Sequence, residues 1–215
     1  MPARAHAAAP TILLLHGGGW QSGGSAEMNP WREDFEAYGY RTRLVDYPLG
    51  NVTRSIDYTD AVAQQERLAG RTVIAYGISA GGTIAAALAA AGRVDGAVDV
   101  LGPTDFVRWI SPVGMYIMLA AHMTEAEKRS ASPLRRLNGR QTPQLLQCGL
   151  ADPLTTFDQC SRYVDRAARG NPDTTMQLMP NAHGQWGTDR DHARTWVQAR
   201  WPASQPARRA LRAAR

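Results

Sequence analysis

The sequence is poor in cysteine, in lysine and in long apolar runs, and each shortage removes a class of protein. Cys148 and Cys160 are the only cysteines in 215 residues, too few for a disulfide framework in a chain of this length. With Cys148 in an apparent buried strand, two free thiols are expected. No stretch approaches the roughly 20 consecutive apolar residues that a membrane-spanning helix needs, and the Ala-rich run from Ile84 to Ala91 is too short. The opening MPARAHAAAP has Arg4 and small residues but no apolar h-region, so it is not a complete signal peptide. A cytoplasmic protein is expected, with secretion as the alternative if ARAHA is the end of a longer leader.

Charge of one sign is also scarcer than the total suggests. The formal charge is +5, but the stretch 203–215 holds Arg208, Arg209, Arg212 and Arg215 with no acid. Four of the five excess charges therefore sit in what reads as a disordered basic tail, not on a binding face. Lys128 is the only lysine among 24 basic residues. No nucleic-acid partner is expected.

The length and a hydrophobic content of 44% suit one domain, read here as 1–202 followed by the 203–215 tail. Short β-rich runs alternate with helical patterns, the signature of an α/β protein with a parallel sheet and crossover helices. The strands are expected at Thr11 to Leu15, Arg41 to Asp46, Thr72 to Tyr76, Gly96 to Leu101, Gln144 to Cys148 and Thr174 to Met179. Helices are expected at Pro30 to Tyr38, Ser55 to Leu68, Ser79 to Ala91, Thr155 to Ala168 and Asp189 to Arg200. The interval 103–142 is longer than a simple crossover, and its WISPVGMYIMLAAHM segment suits a lid, cap or extra capping helix.

Two glycine motifs carry chemistry. Gly77-Ile78-Ser79-Ala80-Gly81 is a G-x-S-x-G between a strand and an Ala-rich helix, the context in which a sharp turn exposes a nucleophilic serine. Chance alone gives this motif about 0.08 times per chain of this composition. His16-Gly17-Gly18-Gly19-Trp20 follows the first strand, where glycines let backbone N–H groups meet negative charge developing on a substrate oxygen. An HGGG arises by chance only about 0.004 times per chain.

A nucleophilic serine needs a base, and the base an orienting acid. Both should follow later strands at the carboxyl edge of the sheet. Gly149-Leu150-Ala151-Asp152-Pro153 follows one strand and Pro180-Asn181-Ala182-His183-Gly184 the next, giving the order Ser79, Asp152, His183. Asp158 and His192 fall inside helices, Asp173 lies at the opposite edge, and His122 is in the insertion. His16 suits an anchor for the glycine loop. His183, Asp189, Asp191 and His192 are close in sequence but lack a ligand spacing such as H-E-x-x-H, and Gly77 to Gly82 lacks the Walker lysine. No metal and no organic cofactor are expected.

These motifs resemble the α/β-hydrolase superfamily, nearest to the HGGG-bearing carboxylesterase and lipase group related to hormone-sensitive lipase. Val45-Asp46-Tyr47-Pro48-Leu49 and Ala131-Ser132-Pro133-Leu134 resemble two further segments of that group. The resemblance implies an α/β-hydrolase fold in compact form, a mostly parallel sheet of about six strands with helices on both faces. It also implies Ser79 as nucleophile, His183 as base, Asp152 as its orienter, and an oxyanion hole of Gly18, Gly19 and Ala80. Trp20, Trp186, Met115 and Tyr116 are candidates for the substrate pocket, with core packing the alternative for each. The expected activity is hydrolysis of a small or medium carboxylic ester. A thioester, lactone, amide or arylformamide substrate, acyl transfer, and a non-catalytic binding role remain as alternatives, and the oligomeric state is open. About ten residues precede the first strand, so a form without the group's N-terminal antiparallel strands and large cap is expected, with an open cleft.

Overall fold

The computed structural model describes residues 9–171, 173–180, 182–184 and 190–203. Strand β1 (Thr11–Leu15, TILLL) is buried at every position, as a strand covered on both faces must be. Its neighbours are β2 (Arg41–Val45) on one side and β3 (Val73–Ile78) on the other. Beyond β3 lie β4 (Gly96–Val100), β5 (Gln144–Gly149) and β6 (Thr174–Met179), in the order β2-β1-β3-β4-β5-β6. All five pairings are parallel. The six expected strands are present, two with the expected ends and four with ends shifted by one or two residues.

Side chains alternate across the strands and divide the core. Leu13, Leu15, Val73 and Ala75 pack with α2 (Val52–Leu68) and α3 (Ala80–Ala90). Ile12, Leu14, Ile74, Tyr76 and Ile78 pack with α1 (Asn29–Ala37) and with Trp196 and Val197, which belong to α8 (Arg190–Arg200). Helix α3 (AGGTIAAALAA) is buried throughout. Its small side chains let its backbone lie close to the sheet, which fixes the residue at its N-terminus firmly against the carboxyl edge of β3.

The interval 103–142 contains a 3-10 turn (Phe106–Arg108), α4 (Pro112–Ala120), α5 (Glu125–Ala131) and α6 (Pro133–Arg136). The Gln159 side chain, on α7 (Phe157–Ala167), anchors its base by accepting from the N–H groups of Thr104 and Asp105 and donating to the carbonyls of Asp105 and Arg108. Helix α4 leaves Val113, Met115, Tyr116 and Leu119 exposed on an apolar surface.

Cys148 and Cys160 form a disulfide, which corrects the expectation of free thiols. The chain leaves β5 at Cys148 and returns through α7, bringing the two Cα atoms to 6.1 Å, within the usual range for a bridge. Sequence spacing alone could not show that return. The bridge closes over the loop 149–159. The tail beyond residue 203 lies outside the described residues, and among those residues no helix is long and apolar enough to cross a membrane.

Candidate active site

Ser79 joins β3 to α3 with φ +52° and ψ −115°, a conformation that costs a non-glycine residue about 1–3 kcal/mol. The surrounding glycines make the turn possible. A Cβ on Gly77 would lie 2.0 Å from the Gly81 carbonyl oxygen, and one on Gly81 would lie 2.2 Å from the Leu15 oxygen. The Ser79 N–H donates to Val100 O at 2.7 Å, and Ser79 O accepts from Thr83 N at 3.0 Å. The backbone of Ser79 is thus held on both sides, which fixes where its hydroxyl stands.

His183 follows β6, and its Nε2 lies 3.0 Å from Ser79 Oγ. Its Nδ1 lies 2.7 Å from Asp152 Oδ2, so Nδ1–H donates to the carboxylate and leaves the Nε2 lone pair facing the hydroxyl. Asp152 follows β5, and its side chain is fully buried. The other oxygen, Oδ1, accepts from Leu154 N at 2.8 Å and Thr155 N at 2.9 Å. These two amide donors, which sequence reasoning missed, offset the burial of the charge. The signal for them was Asp152-Pro153 after a strand, since aspartate readily caps its own downstream backbone in such a turn.

The glycine loop lies against this serine: a Cβ on Gly17 would sit 3.6 Å from Ser79 Cβ. Gly18 and Gly19 adopt φ +102° and +59°, and Ala80 is the first residue of α3. His16 anchors the loop as expected. Its Nδ1 lies 2.7 Å from Gly17 O, and its ring stacks on Tyr47 at 4.3 Å. The Tyr47 hydroxyl donates to His16 O at 2.7 Å, and burial pushes this phenol's pKa up, keeping it a donor. Asp46 accepts from both N and Oγ of Ser25 at 2.7 Å, and those bonds hold its carboxyl below the ordinary range.

Other placements separate the expected candidates. Trp20, expected at the pocket wall, is 1% exposed and packs edge-to-face on Phe106 at 5.5 Å, because its φ of +61° turns it back beneath the loop. It is a core residue. Met115 lines a groove of about 340 Å³ within the insertion, with Met118, Leu119, His122, Met123 and Lys128, and Tyr116 is 70% exposed on α4. A smaller cavity of about 80 Å³ lies beside the serine turn, lined by Gly17, Gly18, Glu27, Met28, Trp31 and Ile78. Trp186 and Asp189 lie outside the described residues. Asp158 pairs with Arg162, Asp173 with Arg200 and Asp191 with Arg194, and none of them joins the relay. His192 is exposed.

Behind the serine turn, Asp99 on β4 is 3% exposed. Its Oδ1 accepts from Gly102 N at 2.8 Å, while Oδ2 is buried with no hydrogen-bond partner among the described residues. Burial raises its pKa from 3.8 to about 8, against the smaller lowering by the Gly102 bond. The folded state therefore prefers the protonated acid: this stabilising preference is full below the unfolded pKa and is lost as pH rises through about 8. Asp99→Asn, neutral at every pH, is expected to flatten this dependence. Its melting temperature should exceed that of wild type by a margin that grows from acid pH to pH 8, which thermal melts across a pH series would measure.

A serine, a histidine and a buried carboxylate converge from three loops at the carboxyl edge of an all-parallel α/β sheet. The fold is that of the α/β-hydrolases, and the protein is a serine hydrolase of that type. The model of the prolyl oligopeptidase family matches residues 49–202, and the chain belongs to that family. No curated protein matches the sequence. Among solved structures, Thermogutta terrifontis esterase 2 phosphonylated by sarin superposes with a TM-score of 0.78 at 17% identity, over 92% of this chain and 86% of that one. The propionate-bound form of this thermophilic planctomycete esterase gives 0.76 at 18%, over 95% and 89%. The butyrate-bound form gives 0.75 at 18%, over 92% and 86%. At these identities the likeness is one of fold.

Proposed function

We propose that this protein hydrolyses carboxylic esters with short acyl groups through a covalent acyl-enzyme on Ser79. The observation that carries the reading is the unbroken relay from Ser79 Oγ through His183 to Asp152, at 3.0 and 2.7 Å. As Ser79 Oγ attacks the ester carbonyl carbon, its proton passes to His183 Nε2, and Asp152 stabilises the imidazolium. The carbonyl oxygen, now an oxyanion, accepts from the N–H groups of Gly18, Gly19 and Ala80, donors of a kind each worth about 10²–10³ in rate. The intermediate collapses, the bond to the alcohol oxygen breaks, and His183 returns the proton to that oxygen. Water then gives a proton to His183 and attacks the acyl carbon; the second tetrahedral intermediate collapses, the bond from the acyl carbon to Ser79 Oγ breaks, and His183 returns the proton to Oγ as the acid leaves. No metal or organic cofactor takes part in this scheme.

The HGGG loop favours the carboxylesterase side of the superfamily, and the structural neighbours carry the name esterase and were captured with propionate and butyrate. The 80 Å³ cavity lined by Gly17, Gly18 and Ile78, next to the serine turn, is of a size for such short groups. The 103–142 segment serves as a cap over the glycine loop: a Cβ on Gly19 would sit 3.3 Å from Ile117 Cδ1. The disulfide favours an oxidising compartment over the cytoplasm. A second reading, cleavage of a peptide or other amide bond, is favoured by the family's name. Initial rates on p-nitrophenyl acetate, butyrate and decanoate, beside the matching p-nitroanilides, separate the two. We expect acetate and butyrate to turn over fastest and the anilides to lag well behind. Anilides that match the esters would establish the second reading.

A further inference from the structure

The cap segment and the loop that carries Asp152 share one peptide group. The Leu154 carbonyl accepts from Trp109 Nε1 at 2.8 Å and from Ser111 Oγ at 2.9 Å, both donors belonging to the 103–142 segment. The same peptide unit presents Thr155 N–H to Asp152 Oδ1 at 2.9 Å. On the far side of that carboxylate, Oδ2 meets His183 Nδ1 at 2.7 Å. The hydrogen-bonded path therefore runs from the indole and the hydroxyl, through one amide plane, to the carboxylate and the imidazole.

We propose that Trp109 and Ser111 are positioning residues for the catalytic acid, so that seating of the cap sets the orientation of Asp152. The inference rests on the reading of Asp152 as the orienting acid. Two donors converging on one carbonyl oxygen restrict rotation of the 154–155 peptide plane, and that plane aims the N–H at Oδ1. Donors at the carbonyl also polarise the amide and strengthen what its N–H gives to the carboxylate. Both residues are built in, Trp109 being 2% and Ser111 8% exposed. The indole is backed by Gly114, where a Cβ would lie 2.4 Å from the ring, and by Phe106 at 5.8 Å. The hydrogen bonds of Trp109 and Ser111 to the Leu154 carbonyl lead, through the Thr155 N–H, to Asp152.

The test compares wild type with Trp109→Phe, Ser111→Ala, the double variant, Ser111→Thr and Asp152→Asn on one short-chain p-nitrophenyl ester. Because Ser111 Oγ also accepts from Gly114 N and caps α4, melting temperatures identify variants that are merely unfolded, and Ser111→Thr restores the hydroxyl. We expect the folded double variant to lose roughly tenfold in kcat with KM little changed, and Ser111→Thr to recover most of the Ser111→Ala loss. The far-downfield proton resonance of the His183–Asp152 hydrogen bond should shift or broaden in Trp109→Phe, which a role confined to packing would not cause. A folded double variant with wild-type kcat and an unmoved resonance overturns the proposal, as does a loss confined to KM. Asp152→Asn separates the two levels. If it is inactive while the cap variants match wild type, only the positioning role fails; if it keeps full activity, the acid assignment itself is wrong.

Discussion

Treated with a fluorophosphonate, the wild-type protein should gain the mass of one adduct and Ser79→Ala none, while ester turnover by the variant falls by about 10⁴–10⁶-fold. The size of the loss follows from the relay. Without Oγ there is no atom to form the acyl bond, and His183 has no proton to take at 3.0 Å. The variant should still fold, because Ser79 is held through its backbone to Val100 and Thr83, bonds that alanine keeps. Intact mass, circular dichroism and initial rates on the same preparations decide the matter. An adduct of equal yield on the variant would place the nucleophile elsewhere.

Gly81→Ala should fail at an earlier stage, in folding. Its new Cβ would lie 2.2 Å from Leu15 O and 2.6 Å from His16 O. All of these are backbone atoms, at the junction of β1 and the glycine loop, and no rotamer change can relieve the overlap. Either α3 moves off the sheet or the end of β1 is displaced. We expect a destabilisation of at least about 3 kcal/mol, read as a lowered denaturation midpoint or as loss of soluble protein. Any folded fraction should be inactive, since the displaced segment leads directly into Gly17, Gly18 and Gly19. A folded, fully active Gly81→Ala would show that this packing is far looser than the backbone contacts imply.

Much of this arrangement was legible in the chain because the α/β-hydrolase fold writes its strands as apolar runs and its turns as glycines. TILLL reads as a short apolar strand, and the structure buries it at every position, while Gly77 and Gly81 mark the turn by the side chains they lack. Asp152 and His183 were found by position, each just past a strand. What escaped was set by contacts distant in sequence. The partnership of Cys148 with Cys160 depends on α7 folding back over β5, and Trp20 belongs to the core because Phe106, 86 residues later, covers it. Trp109 and Ser111 looked like any cap residues; only the placement of Leu154 O gives them a common acceptor.

The sheet order places the parts of the relay unequally. Ser79 springs from β3, which has strands on both sides and is buried along its whole length, whereas His183 follows β6, which among the described residues is a border strand paired with β5 alone and is partly exposed at alternate residues. Border strands open at lower free energy than central ones. On warming, the imidazole should therefore part from the hydroxyl while the central sheet is still intact. Activity and circular dichroism followed on one temperature ramp should then show a reversible loss of turnover, local to this margin of the molecule, before the sheet itself denatures.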